Sequence, residues 1–334
     1  MKIAFFELEG WEDEVIKQSF PTDEIYLSKE KLTPETLPKA LDFDVICPFI
    51  GSKIDASILT NFPNVKLITT RSTGFDHIDL AACQAKGITV SYVPGYGDNT
   101  VAEYAFGLLL NLTRRIYWAI DQIKETESFS LEHLEGVDLK GKIMGIVGTG
   151  RIGKEAIRIA RGFGMVVYAY DPYPDYNFAK AFDVKYVSLE ELLKSADAVS
   201  LHCPLTPETQ HLINVKNVSL FKKGAYLVNT SRGGVVETDA VIRGLKDSIF
   251  SGVAFDVLEE EGDTKDELEF LTDPAAKEAN LKTVLENHAL MKHPKVLITP
   301  HNAFNTKEAL QRILATTIGN IKSFASGMPT NVVK

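Results

Sequence analysis

Gly148, Gly150 and Gly153 fit the pattern G-x-G-x-x-G, and an acid, Asp171, stands about 20 residues beyond the first of them. The first glycine of such a loop makes a tight turn. The second lets the backbone approach a pyrophosphate, and the third packs helix on strand. Ile143–Val147 reads as a buried strand before the loop, and Lys154–Arg161 as helix after it. The helix N-terminus offers unpaired N–H groups and a positive dipole to phosphates. Val166–Tyr170 is the next strand, and Asp171 ends it where a carboxylate holds the adenosine ribose diol. A carboxylate there repels a 2′-phosphate, and Pro172 rather than an arginine follows it, so the expected cofactor is NAD rather than NADP.

Three further polar residues follow apolar runs, on the side where open α/β sheets bind ligands. Arg232 comes after Leu227-Val-Asn-Thr-Ser, Glu261 after Val253-Ala-Phe-Asp-Val-Leu-Glu-Glu, and His301 after Val296-Leu-Ile-Thr-Pro. Singly, each has an ordinary reading: a surface ion pair, one of three loop glutamates, a residue opening a helix. Jointly they supply a fixed cation, an acid and a group that titrates near neutrality.

These residues need elements to carry them. From residue 143 a βα rhythm predicts strands at 143–147, 166–170, 184–187, 198–202, 225–229, 251–255 and 296–299. Helices are predicted at 152–162, 189–194, 239–246 and 275–287, which makes a doubly wound parallel sheet. Upstream, Met1–Leu8, Val45–Phe49, Leu67–Thr70 and Thr89–Ser91 predict a smaller parallel α/β domain, with helices over Glu12–Ser19 and Asp55–Asn61. The turn-rich segment Val93–Asn99 separates the two. Thr100-Val-Ala-Glu103 fits a capping box, opening one long helix from Val101 to about Lys124. Its first half is apolar on nearly every face, so it is expected to be buried all round, in part by a second subunit. Glu259–Asp273 reads as a loop or mobile edge, and Ala303–Lys322 as a final helix.

The 334 residues suggest about two domains, and 45% hydrophobic with 24% charged residues is ordinary for a globular protein. A net charge of −9 without basic runs argues against nucleic acid and anionic membrane as partners. No apolar run reaches membrane-spanning length, and the N-terminal residues lack a signal-peptide core. Cys47, Cys83 and Cys203 have no metal spacing and an odd count, which predicts buried free thiols and a reducing cytoplasm. His77, His133, His211, His288 and His293 show no partner pattern, and no metal is predicted.

Val228-Asn-Thr-Ser-Arg232-Gly-Gly, Phe255-Asp256-Val-Leu-Glu-Glu-Glu261 and Thr299-Pro-His301-Asn-Ala-Phe304 resemble signature segments of the D-isomer-specific 2-hydroxyacid dehydrogenases. Arg71-Ser-Thr-Gly-Phe-Asp76-His-Ile-Asp79 resembles their N-terminal motif, and Thr149-Gly-Arg-Ile-Gly153 their cofactor loop. Tyr96 and Phe304, with the D-V-x-E-x-E form around Glu261, are most similar to the D-lactate dehydrogenase branch. The resemblance implies a Rossmann NAD-binding domain, residues 99–299, inserted into a flavodoxin-like substrate domain made of residues 1–98 and 300–334. It also implies a homodimer built on the long helix.

The same resemblance assigns roles. Arg232 clamps a 2-oxo acid, and His301 donates a proton to the ketone oxygen as hydride arrives. Glu261 beside His301 favours the imidazolium. Gly148, Thr149, Gly150, Arg151, Ile152, Gly153, Asp171, His202, Cys203, Pro204, Thr230, Ser231 and Asp256 face the cofactor. Backbone N–H groups near Thr73 and Gly74 hold the substrate carboxylate, and Tyr96, Phe304 and Phe49 surround its methyl end. Asn305 departs from the tyrosine common in lactate-type members. The expected activity is reduction of pyruvate with NADH. Bulkier acids such as 2-oxoisocaproate and phenylpyruvate stay open, as does a non-enzymatic NAD-sensing role of the corepressor kind.

Overall fold

Strands rich in Val, Ile and Leu with no polar alternation belong in parallel sheets covered on both faces, and the computed structural model of this chain contains two. The structure describes residues 1–261 and 278–333. Its contacts divide the chain into one unit of Met1–Tyr96 with Thr306–Lys334, and a second of Gly97–Asn305. The division falls at 96/97 and 305/306, against the 98/99 and 299/300 read from the sequence, so His301 and Phe304 lie in the second unit.

The first unit carries β1 Lys2–Phe5, β2 Glu24–Leu27, β3 Val45–Cys47, β4 Leu67–Thr69 and β5 Thr89–Ser91, in the order β2-β1-β3-β4-β5. This is the flavodoxin-like order. Two apolar clusters cover its faces. One is built on Phe6, Ile46, Ile68 and Phe62. The other joins Ile3, Phe5, Val45 and Leu67 to Leu314, Ile318 and Ile321 of the helix Lys307–Ala325. Thr306 caps that helix through Ala309 N–H, which places its start beyond the expected residue 303.

The second unit carries β6 Ile143–Val147, β7 Val166–Tyr170, β8 Val184–Tyr186, β9 Ala198–Leu201, β10 Ala225–Asn229, β11 Phe250–Phe255 and β12 Val296–Ile298. Their order is β12-β11-β10-β9-β6-β7-β8, the Rossmann arrangement extended by one strand. Register decides what the sheet presents. Val147 pairs with Tyr170 and Leu201, Leu201 with Asn229, Asn229 with Phe255, and Phe255 with Ile298. These residues form one row across the sheet. Gly148, Asp171, His202, Thr230, Asp256 and Thr299 are each the next residue in their chain. Six strands therefore deliver five candidate residues, and Thr299 beside them, to one edge.

Several expectations need correction. The long helix is two helices, Asp98–Arg114 and Ile116–Thr126, because Val137 N–H takes the Thr113 carbonyl that the next helical turn would need, and Arg115 turns left-handed (φ 56°). The capping box at Thr100 does not form. The helix begins at Asp98 after Gly97, and the Glu103 carboxylate accepts from the Asn99 side chain instead. Within the single chain, burial of this helix is one-sided, and the expected cover from a second subunit is not tested by it. Ala102, Ala105, Phe106, Leu109 and Leu112 pack on Ala156, Ile157 and Ala160, while Gly107 is exposed and Tyr104 and Leu110 are half-buried. The strand β2 was not expected, since its sequence EIYL opens with an exposed glutamate at a sheet edge. Of the expected loop over Glu259–Asp273, residues 262–273 lie outside the described residues. So do 275–277 of the helix expected at 275–287, of which Glu278–Met291 is described. No helix among the described residues is long and apolar enough to cross a membrane.

Candidate active site

The turn after β6 lies where strand order reverses, between β6 and β9, the usual ligand crevice of such sheets. Gly148 has φ +89°, and a Cβ there would stand 2.7 Å from Cys203 N and 2.8 Å from His202 C. Only glycine lets the loop cross β9's end this closely. A Cβ at Gly153 would fall 2.0 Å from the Gly148 carbonyl oxygen, so the helix Arg151–Gly162 is seated directly on the loop. Around Gly150, at the mouth of that helix, there is open space. This is a cradle with N–H donors facing an empty approach.

Asp171 sits beside it. Its Oδ2 accepts from Thr149 N–H (2.6 Å) and the Thr149 hydroxyl (3.0 Å), and its Oδ1 accepts from Tyr173 N–H (2.8 Å). The Tyr186 hydroxyl donates to the Thr149 hydroxyl oxygen (2.8 Å), so the acid and the glycine loop are one network. Two buried polar atoms at this edge, His202 Nδ1 and Thr230 Oγ1, find no hydrogen-bond partner among the described residues. Burial lowers the His202 pKa to about 4, which keeps its ring neutral at physiological pH, with Nε2 on the Ser200 hydroxyl at 3.0 Å. Burial also raises the Cys203 thiol to about 11 and leaves it unreactive. The cradle, the acid and the orphaned polar atoms fit a dinucleotide. Arg151 is turned to Asp98, its Nε donating to Oδ2 at 2.7 Å, and Ile152 is half-buried among apolar neighbours. Pro204 is exposed.

Arg232, Glu261 and His301 line one pocket of about 320 Å³. His301 Nδ1 lies 3.2 Å from both Glu261 oxygens, with the two side chains 28% and 22% exposed, so solvent still reaches the pair. His301 is left-handed (φ 54°), a conformation its surroundings must impose. Asp256 imposes it. This residue is 1% exposed; its Oδ1 accepts from Thr299 Oγ1 and Asn302 N–H (2.8 Å), its Oδ2 from Ala303 N–H (2.7 Å), and its carbonyl from His301 N–H (2.8 Å). Burial raises the Asp256 pKa, against the pull of the Thr299, Asn302 and Ala303 donors. Removing it would leave three donors without an acceptor, at about 1–3 kcal/mol each. Asp256, expected near the cofactor, also clamps the His301 turn.

Arg232 is held by a residue the sequence reading passed over. Asn229 is wholly buried at the end of β10; its Nδ2 donates to the Arg232 carbonyl (2.9 Å) and its Oδ1 accepts from Ser231 N–H (3.0 Å) and the Ser231 hydroxyl (2.8 Å). A polar residue closing an otherwise apolar strand was the available signal. The histidines without an expected partner also need correction. His211 Nε2 meets Glu259 Oε1, and His77 Nε2 meets the Thr70 hydroxyl at 3.0 Å. The Phe304 ring stands edge-on to His301, centroids 6.5 Å apart.

In the first unit, the turn after β4 holds Thr73 and Gly74. The Ser72 hydroxyl donates to the Gly74 carbonyl (2.6 Å) and the Thr73 hydroxyl to the Val93 carbonyl (2.7 Å). No hydrogen bond among the described residues uses the N–H of Thr73 or Gly74. Arg71 is not a ligand-facing cation: it is buried, bonded to Glu12 and to the Phe6 (2.8 Å) and Glu7 (2.6 Å) carbonyls. Its guanidinium lies 5.2 Å over the Phe49 ring, and the Phe49 backbone N–H donates to Glu7 Oε1 (3.1 Å). The Tyr96 carbonyl accepts from Arg312 Nε at 2.6 Å.

Comparison with known proteins places this geometry. Residues 106–303 match the profile described as D-isomer specific 2-hydroxyacid dehydrogenase, NAD binding domain. A 2-hydroxyacid dehydrogenase homolog of Zymomonas mobilis is 38% identical over the full length of both chains. The D-lactate dehydrogenase of Escherichia coli is 35% identical over 98% of each. The crystal structure of D-lactate dehydrogenase from Aquifex aeolicus, complexed with NAD and lactic acid, superposes with a TM-score of 0.84 at 34% identity, covering 97% of this chain and 96% of that one.

Proposed function

This chain belongs to the D-isomer-specific 2-hydroxyacid dehydrogenases, an NAD-dependent oxidoreductase family, and we propose from that premise that it reduces pyruvate to D-lactate. Bound NADH supplies the hydride. The cradle around Gly148–Gly153 holds the pyrophosphate, Asp171 the adenosine ribose, and the polar atoms of His202 and Thr230 the neighbouring part of the cofactor. Arg232 pairs its planar fork with the substrate's carboxylate and ketone oxygens. His301 gives a proton to the ketone oxygen from Nε2, because Nδ1 faces Glu261. Glu261 fixes the ring and balances its charge. Asp256 and Asn229 hold the turns that carry His301 and Arg232, so the reacting groups need little rearrangement.

The first unit serves as the substrate domain, with the N–H groups of Thr73 and Gly74 binding carboxylate and Phe49 and Tyr96 limiting size. The second is the cofactor domain. Ile116, Ile120 and Ile123 form an exposed apolar stripe on the helix Ile116–Thr126, followed by exposed Phe129 and Leu131, and this surface suits a homodimer. Three buried free cysteines suit a reducing cytoplasm.

One observation carries the reading: an imidazole–carboxylate pair and an arginine line one pocket. A protein that only sensed NAD would need the cradle and no such pair. The test is His301→Gln. Pyruvate reduction should fall by about 10²–10⁴, the usual worth of general acid–base catalysis, with NADH affinity unchanged. Near-full turnover would remove His301 from the mechanism.

A further inference from the structure

A second imidazole–carboxylate pair lies beside the first, and the catalytic scheme above leaves it without a task. His211 Nε2 meets Glu259 Oε1. The other oxygen of Glu259 accepts from Thr238 N–H (3.1 Å) and the Thr238 hydroxyl (2.9 Å), and its carbonyl accepts from the Asn287 side chain (2.8 Å). Glu259 is thus fixed at three atoms, two residues before Glu261. Both glutamates line the pocket with Arg232 and His301.

The pair also reaches the Arg232 turn. His211 N–H donates to the Gly234 carbonyl (2.8 Å), and His211 is left-handed (φ 50°), as His301 is. A Cβ at Gly233 would fall 2.0 Å from the backbone of Leu258 and 2.4 Å from Glu259 N, so the Arg232 turn presses against the segment leading to Glu261. The backbone contacts of this junction do not depend on the imidazole. What the imidazole contributes is the lateral hold on Glu259.

We propose, resting on the dehydrogenase reading above, that His211 and Glu259 are positioning residues: their pair fixes the segment Leu258–Glu261 so that Glu261 meets His301 Nδ1. Their part in the reaction runs through Glu261. Freed of His211, Glu259 keeps its Thr238 and Asn287 contacts among the described residues and loses its lateral one, and Glu261 gains freedom to leave the ring. A misplacement of about 1 Å in a reacting group costs up to about a hundredfold in rate.

The experiment measures NADH-driven pyruvate reduction by wild type, His211→Ala, His211→Gln, Glu261→Gln and the His211→Ala/Glu261→Gln double variant, with NADH binding by fluorescence. His211→Ala should lower kcat about tenfold to a hundredfold while KM for pyruvate and NADH affinity stay within about threefold. His211→Gln places its amide nitrogen where Nε2 was and should restore most of kcat. In the Glu261→Gln background, His211→Ala should lower kcat no further. Unchanged kcat in His211→Ala overturns the proposal, and so does an equal fall in the Glu261→Gln background. If His211→Ala fails to fold, His211→Phe, which keeps the ring and removes the hydrogen bond to Glu259, decides by the same criteria. A wild type inert on every 2-oxo acid ends the functional reading and this inference with it, whereas an active wild type beside an unaltered His211→Ala ends this inference alone.

Discussion

The turn after β10 and the turn after β4 both leave the carboxyl end of a parallel strand, yet they offer a ligand different things. The first ends in Arg232, a fixed cation on a side chain, carried by the buried Asn229. The second spends its side chains on itself: the Thr73 hydroxyl on Val93, the Ser72 hydroxyl on Gly74, and Arg71 on Glu12. What it leaves for a ligand is backbone N–H at Thr73 and Gly74. The same doubly wound plan thus yields one candidate site made of residue types and another made of chain direction. Fold alone assigns neither.

Substitution should expose this asymmetry. Outside the His301–Glu261 pair, the largest effect is expected at Arg232. Arg232→Ala removes a charged partner from the pocket and should lower kcat/KM by about 10²–10³, with Arg232→Lys recovering only part, since a point charge does not replace a planar fork. An Arg232→Lys variant equal to wild type would show that charge suffices there and would blunt the contrast.

Asp171 comes next. Asp171→Ala removes repulsion against a 2′-phosphate and should narrow the NADH-over-NADPH preference by about tenfold, equivalent to roughly 1.4 kcal/mol. A wild type that uses both cofactors equally would remove Asp171 from cofactor choice.

The smallest effect is expected at Thr73. Its side chain is exposed and points its hydroxyl at a carbonyl, so Thr73→Ala keeps the N–H and should leave KM for the 2-oxo acid within about twofold. A large rise in KM would place the hydroxyl, rather than the backbone, on the substrate.

This asymmetry also governs how far the sequence could be read. Side-chain chemistry was legible: the glycine loop, Asp171, Arg232, Glu261 and His301 all announce themselves by type and by standing after an apolar strand. Their supports were not. Asn229 acts within its own turn, on Ser231 and Arg232, and only its polar type at the end of an apolar strand marked it, whereas the His211–Glu259 pair joins segments 48 residues apart, which spacing cannot show. Asp256 was noticed for a place near the nicotinamide and Arg232, but its hold on the His301 turn was not, because the donors it collects from Thr299 to Ala303 appear only when the turn is folded. The single long helix failed for a similar reason: Val137, more than 20 residues downstream, takes the Thr113 carbonyl. Local pattern marks what a residue is, and tertiary contact decides what holds it.

The most direct test of the assigned reaction is one panel: kcat/KM for NADH oxidation with pyruvate, 2-oxoisocaproate and phenylpyruvate, with chiral analysis of the product. Aromatic walls discriminate by about 1–3 kcal/mol per methylene, so pyruvate should lead by tens to hundreds of fold and yield D-lactate. A lead for either bulky acid would contradict the assignment to pyruvate, and an L-product or no oxidation at all would contradict the catalytic account built on His301 and Arg232.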